Sequence, residues 1–526
     1  MASTESMLRE REQIKQQQAS QQETIETLSG TIETQNGTIE KMRAYILQLE
    51  EYIRNGRRKQ FGPSSEKLAD LQPNLFNEAE AEAAAVEAAE APAEAELPAA
   101  QAPAPGRKPR KAFRIPPELP RVEIIHDLPE AEKVCPHDGT PLKRIDSEIH
   151  EQLDIIPAQV QVLRHVRHTY ACPCCEQYVV TAAKPRQPIE KGLASPRMLA
   201  TVATQKYVDG LPLYRQGEIF RRMGLELDRT TQANWMMKAG ELIQPLINLI
   251  HERMLEEPLL HMDETRLQVL KETGRTAQAM SYMWVLRSTG QPAVLYRYAP
   301  TRGGAIPKQL LEGFSGALMV DGYEGYNAVC ETNSLTRLGC WAHARRGFID
   351  VQKTYGPGKT GKADEALAHI QALYRIEQEA KDKPSDERLA LRQARAGPVL
   401  QRLRQWVDQH KDRIAPKSLL GKAVHYLDAQ WPRLVRYLED GNLPIDNNPA
   451  ENAIRPFVVG RKNWLFSATP RGADASANLY SLIETAKANG LEPQVYLTRV
   501  FTQLPNSTTL GEIEALLPWP AKIENP

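Results

Sequence analysis

No stretch of this 526-residue chain approaches the ~20 consecutive apolar residues needed to span a bilayer, and its polar start has no apolar segment behind a basic flank. The expectation is therefore a soluble intracellular protein. Cysteine is scarce. Three of the six are packed into Cys172, Cys174 and Cys175, which suits metal binding in a reducing compartment better than a disulfide framework. A charge excess of either sign is also missing, with 66 basic and 66 acidic residues. That balance hides a segregation. Residues 68–106 carry no Lys or Arg and eight acids, so the rest of the chain holds 66 basic against 58 acidic residues, a net of +8. Such a bias is adequate for DNA but not diagnostic of it.

Three acids stand in informative settings: Asp263 in PLLHMDET, Asp321 in GALMVDGYEGYN and Glu451 in IDNNPAENAIRPF. Pro258–Met262 and Ala317–Val320 read as buried strands with a carboxylate at the exit of each. Asn448 is a plausible N-cap with Pro449 at the first helical position, which puts Glu451 in the first turn of a helix. Carboxylates gathered inside a fold repel one another unless hard divalent cations neutralise them, so such a cluster points to Mg²⁺ or Mn²⁺. Each acid also has a plain reading, Asp263 and Asp321 as turn residues and Glu451 as the return arm of a capping box. Asp446, Glu324 and Glu264 are rival ligands.

The strings HMDET, VDGYEGYN, GCWAHARR, DNNPAENAIRPFVVGRKNWLFS and LYSLIETAKANGLEP resemble the transposases of the insertion sequence sixty-six family, from about Phe61 to the C-terminus. The resemblance implies a DDE transposase with a ribonuclease H-like catalytic core. Its triad falls on Asp263, Asp321 and Glu451, which would hold two Mg²⁺ or Mn²⁺ ions. Such an enzyme nicks the ends of its element with water and joins the freed 3′ hydroxyl to target DNA, with no covalent protein intermediate. Ser467, Tyr323 and Tyr326 are accordingly not read as nucleophiles. The implied partners are DNA, as terminal inverted repeats and target, and accessory proteins of the same element; the implied location is the bacterial cytoplasm, at the nucleoid. Several DDE enzymes place Lys or Arg two helical turns after the Glu, where this chain has Val458. Arg455 is the candidate substitute.

Around the triad, Met280–Leu286, Ala293–Tyr298 and Leu335–Trp341 read as further strands and Ile306–Phe314 as a crossover helix, a mixed α/β pattern. The interval from Asp321 to Glu451 is too long for a loop and contains helical stretches at Ala363–Ala380, Asp386–His410 and Leu419–Glu439, which implies a helical insertion splitting the core. Arg345, Arg346, Arg455, Arg461 and Lys462 are candidate phosphate contacts, with ordinary solvated charge as the alternative. Cys340 and His343 have a metal-like spacing, but a pair is incomplete and packing is the better reading.

Ahead of the core, Ile25, Ile32, Ile39, Ile46 and Ile53 recur every seven residues, with Leu28, Gln35, Met42 and Leu49 between them. Ile at a with Leu at d favours a parallel two-stranded coiled coil and hence a homodimer; a single amphipathic helix packed on the body is the alternative. Residues 77–106 are an Ala, Glu and Pro-rich tether. Arg107, Lys108, Arg110 and Lys111 form a basic arm suited to DNA. Cys135 with Cys172 and Cys175 resembles the family's zinc-binding module, although Asp138 stands where the fourth cysteine is expected. His137 and Cys174 are other possible ligands for this one structural Zn²⁺. Val160–Tyr170 between them alternates like a strand. Leu211–Ile243 reads as a helix-turn-helix, with a turn at Gly224, a cap near Asp228, and Arg229, Thr230, Gln232 and Asn234 as base readers.

The expected order is a coiled coil (1–60), an acidic linker (61–106), the basic arm and zinc-binding-like module (107–185), and the helix-turn-helix-like region (186–250). The first part of the core (251–355), the helical insertion (356–440), the second part of the core (441–490) and a C-terminal segment (491–526) follow. Two other functions share these features. A DNA-binding regulator would not need the acids, and a structure-specific metal-dependent nuclease would release cut ends without joining them.

Overall fold

The computed structural model describes residues 119–519, except 131–132, 134, 138–139, 148, 156–157, 172–178 and 356–358, together with a helical run within 21–46 that omits 23, 41, 44 and 45. The basic-arm residues, Asp138, Cys172, Cys174, Cys175, Leu49 and Ile53 lie outside the described residues. The chain divides into two units, Ala91–Gln161 and the remainder.

In the smaller unit, Cys135 begins a tight turn that closes when its N–H donates to Thr140 O at 2.8 Å, and Leu142 N donates back to Lys133 O at 2.7 Å. In the larger unit, strands β1 (Thr169–Ala171) and β2 (Val179–Thr181) form an antiparallel hairpin. The alternation expected to make a strand from Val160 yields one only at its end. Val162 and Val166 are 91% and 67% exposed, and period-2 alternation stabilises a strand only where one face is buried.

Four helices precede the main sheet: α1 (Pro196–Tyr207), α2 (Leu213–Arg222), α3 (Arg229–Leu242) and α4 (Gln244–Leu255). Gly224 turns the chain between α2 and α3 at φ +83°, and Asp228 caps α3 by accepting from Thr230 N and Thr231 N.

The main sheet runs β5-β4-β3-β6-β7, formed by β3 (Leu259–Gln268), β4 (Met280–Ser288), β5 (Ala293–Ala299), β6 (Ala317–Val320) and β7 (Thr336–Gly339). The first three pair antiparallel, whereas β6 pairs parallel with both β3 and β7. Strand β6 is short and wholly buried because it lies between parallel neighbours with both faces covered. The crossover before it, α5 (Ala305–Leu310), is shorter than expected, and a 3₁₀ turn at Glu324–Tyr326 and α6 (Asn327–Thr332) precede β7.

The other side of the interruption supplies α12 (Asn448–Trp464), α13 (Pro470–Ala488), α14 (Pro493–Gln503) and α15 (Leu510–Glu514). Helix α13 covers the free edge of the sheet: Val294 N donates to Thr485 Oγ1 at 3.0 Å and Tyr296 N to Ser481 Oγ at 2.7 Å. These hydroxyls satisfy backbone donors that would otherwise template pairing with another chain. Helix α3 crosses α13 so closely that a Cβ on Gly240 would sit 2.6 Å from Ala475 Cα.

Between β7 and α12 a second hydrophobic core forms from α7 (Trp341–Gln352), α8 (Lys362–Ala380), α10 (Gly397–His410) and α11 (Leu419–Leu434), with Trp341, Phe348, Leu373, Leu403 and Leu427 at its centre. The short α9 (Ser385–Leu391) and a π turn at Arg392–Ala396 lead into α10, so Asp386–His410 is helical throughout. A 3₁₀ turn, Val435–Leu438, continues α11.

Candidate active site

The sheet register aligns the first two acids. The β3–β6 ladder ends at His261↔Met319. Two residues beyond that pair stand Asp263, still on β3, and Asp321, just past the end of β6. Asp321 follows β6 immediately, as expected. Asp263 corrects the expectation of a strand exit: it lies in mid-strand, because β4 continues the ladder with Asp263↔Val285 through Gln268↔Met280.

Glu451 sits in the first turn of α12, and the cap of that helix is Asn447 rather than Asn448. Asn447 makes no side-chain cap bond, since its side chain is used elsewhere. Its Nδ2 donates to Met262 O at 2.9 Å, its Oδ1 meets His261 Nδ1 at 3.0 Å, and its backbone N–H donates to Cys340 Sγ at 3.2 Å. Burial holds the His261 imidazole down to about 4, so the ring is neutral and donates to that Oδ1. Asp446, the rival ligand, is engaged by hydrogen bonds. It accepts from Asn448 N at 3.1 Å, Asn448 Nδ2 at 2.9 Å and the Tyr374 hydroxyl at 2.8 Å.

Glu451 is buried, and no capping-box return bond forms: Arg346 Nη2 lies 2.9 Å from Oε2 and His343 Nδ1 lies 3.2 Å from Oε1. The His343 imidazole stays below its ordinary value because burial outweighs the attraction of Glu451. Burial first, then the charges of Glu264, Glu451 and Asp321, push the Asp263 carboxyl well above the usual range. Asp263, Asp321 and Glu451 therefore share one electrostatic environment. Glu264 is engaged by the Tyr326 hydroxyl at 2.6 Å and by Arg302, and Glu324 is exposed on its 3₁₀ turn.

Cys340 Sγ, a His343 ring nitrogen and a Glu451 oxygen lie within 4.8 Å of one another. Burial raises the Cys340 thiol well above its ordinary value, and the thiol accepts the Asn447 backbone N–H.

Comparison with known proteins identifies the lineage. A family model described as Transposase IS66 family matches residues 191–475, more than half of the chain. The chain belongs to the IS66 transposase family. Further models, described as the zinc-finger binding domain of transposase IS66, the IS66 C-terminal element, and Transposase C of IS166 homeodomain, match residues 132–176, 481–519 and 48–124. Uncharacterized protein y4jD of Sinorhizobium fredii is 33% identical over 77% of this chain and 81% of its own. Uncharacterized protein y4qI of the same organism is 32% identical over 90% and 88%. No solved structure matches the chain.

Membership in the IS66 family implies DNA as partner, divalent-metal use by the DDE domain and zinc binding by the finger. Among the described residues of this transposase no helix is long and apolar enough to cross a membrane. Three carboxylates are a donor set suited to a hard cation, although among the described residues the three ligand atoms that lie within 4.8 Å of one another are those of Cys340, His343 and Glu451; Glu451 Oε1, buried without a hydrogen-bond partner, is the kind of orphaned acceptor a metal would satisfy.

The expected DNA contacts separate by burial. Arg229, Thr230 and Asn234 are exposed on α3, whereas Gln232 is fully buried and donates to Leu227 O at 3.2 Å. It ties the hairpin together instead of reading a base. Arg345 is only 5% exposed. Arg346 holds Glu451, Arg455 donates to Asn452 Oδ1, and Arg461 reaches Thr265 Oγ1 at 3.2 Å, while Lys462 is exposed. Val458 packs against the core. Asn447, His261 and Arg302 were not foreseen. A histidine two residues before an acid in an otherwise apolar strand is a usable signal, since a buried imidazole must find a partner.

Proposed function

We propose that this chain is a DDE transposase that cuts the ends of its element and joins them to target DNA, using Asp263, Asp321 and Glu451 on a ribonuclease H-like core. The strand order with three antiparallel and two parallel members supports that core. The observation that carries the reading is the placement of Asp263 and Asp321 two residues past the last β3–β6 pair, with the buried Glu451 near enough for its charge to bear on the Asp263 carboxyl.

The triad would hold two Mg²⁺ or Mn²⁺ ions, which when bound supply charge for the attacking and leaving oxygens of an in-line displacement. The chain does the positioning. Asn447 fixes the start of α12 against β3, and Arg346 orients Glu451. Water attack would release a 3′ hydroxyl, and attack by that hydroxyl would exchange one phosphodiester for another, so no nucleotide cofactor is required. Arg229, Thr230 and Asn234, exposed at the start of α3, are proposed readers of the terminal repeats, and the turn at Cys135 is the proposed first zinc knuckle. The exposed seam of the N-terminal helix supports a homodimer that brings two ends together.

The test is an Mg²⁺-dependent assay of labelled element ends on a target plasmid, with wild type and Asp321→Ala. Joined product from wild type only is expected. Joining by the variant defeats the reading; release of cut ends without joining indicates a nuclease, and end binding unaccompanied by cutting indicates a regulator.

A further inference from the structure

Three arginines converge on one cleft that the catalytic reading does not use. Arg337 on β7, Arg433 at the end of α11 and Arg436 in the following 3₁₀ turn line a space of about 170 Å³ with Asn327, Cys330 and Glu331. Their hydrogen-bond partners are neutral. Arg337 donates to Asn327 Oδ1, and its Nη2 donates to Asp321 O and Tyr323 O at 2.9 Å each. Arg433 donates to Asn327 Oδ1 at 3.0 Å and Gln430 Oε1 at 2.9 Å, and Arg436 to Arg337 O at 3.3 Å.

Among the described residues no carboxylate lies within ion-pairing distance of any of the three. Arg337 is 4% exposed and its Nε has no hydrogen-bond partner. Arg337 is a buried cation, and Glu331, the carboxylate of the cleft, is exposed and beyond ion-pairing distance, so three arginines gathered this way favour a further anion from outside the chain. Guanidinium forks match phosphate oxygens, and the cleft is smaller than the ~300 Å³ at which small-molecule pockets begin. Its size suits a phosphate group.

We propose that Arg337, Arg433 and Arg436 form a DNA-phosphate site that grips one backbone phosphodiester beside the Asp321 loop. This rests on the transposase reading. Because Arg337 itself holds the Asp321 carbonyl, a phosphate in the cleft is fixed relative to that carboxylate, which sets the register of the bound strand.

The test uses the full chain and a labelled duplex without divalent metal, with affinity followed by fluorescence anisotropy across a NaCl series. Arg433→Gln with Arg436→Gln leaves Arg337 in place to support the Asp321 loop. The slope of log affinity against log salt should become shallower by about one, as loss of one phosphate contact predicts, with affinity at 150 mM salt down about tenfold. Glu331→Gln, which removes the exposed carboxylate of the cleft, should tighten binding about twofold by the same electrostatics. Unchanged slope in a double variant of unchanged melting temperature overturns the site, and so does unchanged affinity in Glu331→Gln should the double variant unfold. If inorganic phosphate binds the wild type but not the double variant while the DNA slope is the same in both, the ligand is a free anion and the proposal fails. A wild type that binds no duplex at all fails the transposase reading itself.

Discussion

The side-chain amide of Asn447 donates to the carbonyl of Met262 at 2.9 Å, joining positions 185 residues apart. Met262 precedes Asp263 and Asn447 starts the helix of Glu451, so one amide registers two catalytic candidates against each other. Its oxygen meanwhile accepts from the neutral His261 ring.

Asn447→Ala leaves the Met262 carbonyl and the His261 Nδ1–H buried and unpaired. The expected cost is about 2–4 kcal/mol in urea denaturation, since each stranded group forfeits about 1–3 kcal/mol. Joining should fall on the order of 10²-fold from misplacement alone, while duplex affinity stays within about twofold of wild type, because the DNA-gripping side chains lie elsewhere. Wild-type joining by a folded Asn447→Ala protein would remove Asn447 from the positioning role.

Tyr374 carries a second prediction. Its hydroxyl, from α8 in the helical insertion, donates to Asp446 Oδ2 at 2.8 Å, and Asp446 holds Asn448 at the start of α12. Tyr374→Phe should cost about 1.5–3 kcal/mol, the range for a hydrogen bond to a charged group. Joining should fall more than duplex binding, which a comparison of strand transfer and anisotropy would reveal. Equal losses in both would mean that the bond serves general stability only.

The N-terminal helix makes a third. Ile25, Leu28, Ile32, Ile39, Met42 and Ile46 are 47–61% exposed along one seam, an apolar stripe that a second copy would bury. Ile32→Glu with Ile39→Glu places like charges at two a positions and should convert a dimer to a monomer in light scattering. Joining of paired ends should be lost while single-end binding remains. An unchanged mass would show that the seam does not hold the subunits together.

How much of this was legible in sequence depended on the range of the forces involved. Asp228, Gly224 and the insertion helices follow from local capping, turn and periodicity rules, and they stand where those rules put them. Asp321 was legible because a wholly apolar run ends at it. Asp263 was misplaced because the polar residues after it imitate a strand exit, whereas pairing with β4 carries the strand on to Gln268. Gln232 looked like a surface reader, and only the hairpin's packing makes it a buried tie to Leu227. The roles of Asn447 and Asp446 depend on partners far off in the chain, His261, Met262 and Tyr374, which no local pattern encodes.

Lys206 allows a prediction about pH. Its ammonium lies over the rings of Tyr207 and Trp464, 5.3 and 5.2 Å from their centroids, and burial lowers its pKa from 10.5 to about 8. Below pH 8 both folded and unfolded chains hold the proton, and the full cost of burying the charge weighs on the fold. Between about 8 and 10.5 the unfolded chain binds a proton that the folded chain has released, so this group makes stability rise with pH, at most about 1.4 kcal/mol per unit. Tyr207, pushed up by burial, acts oppositely above its ordinary value of 10, so the comparison must be made against a variant that keeps the tyrosine. Lys206→Met removes the titration. It should be more stable than wild type in urea at pH 7, with the gap narrowing steadily from pH 8 to 10. A gap that stays constant over that range would mean that the Lys206 ammonium is solvated in the folded protein.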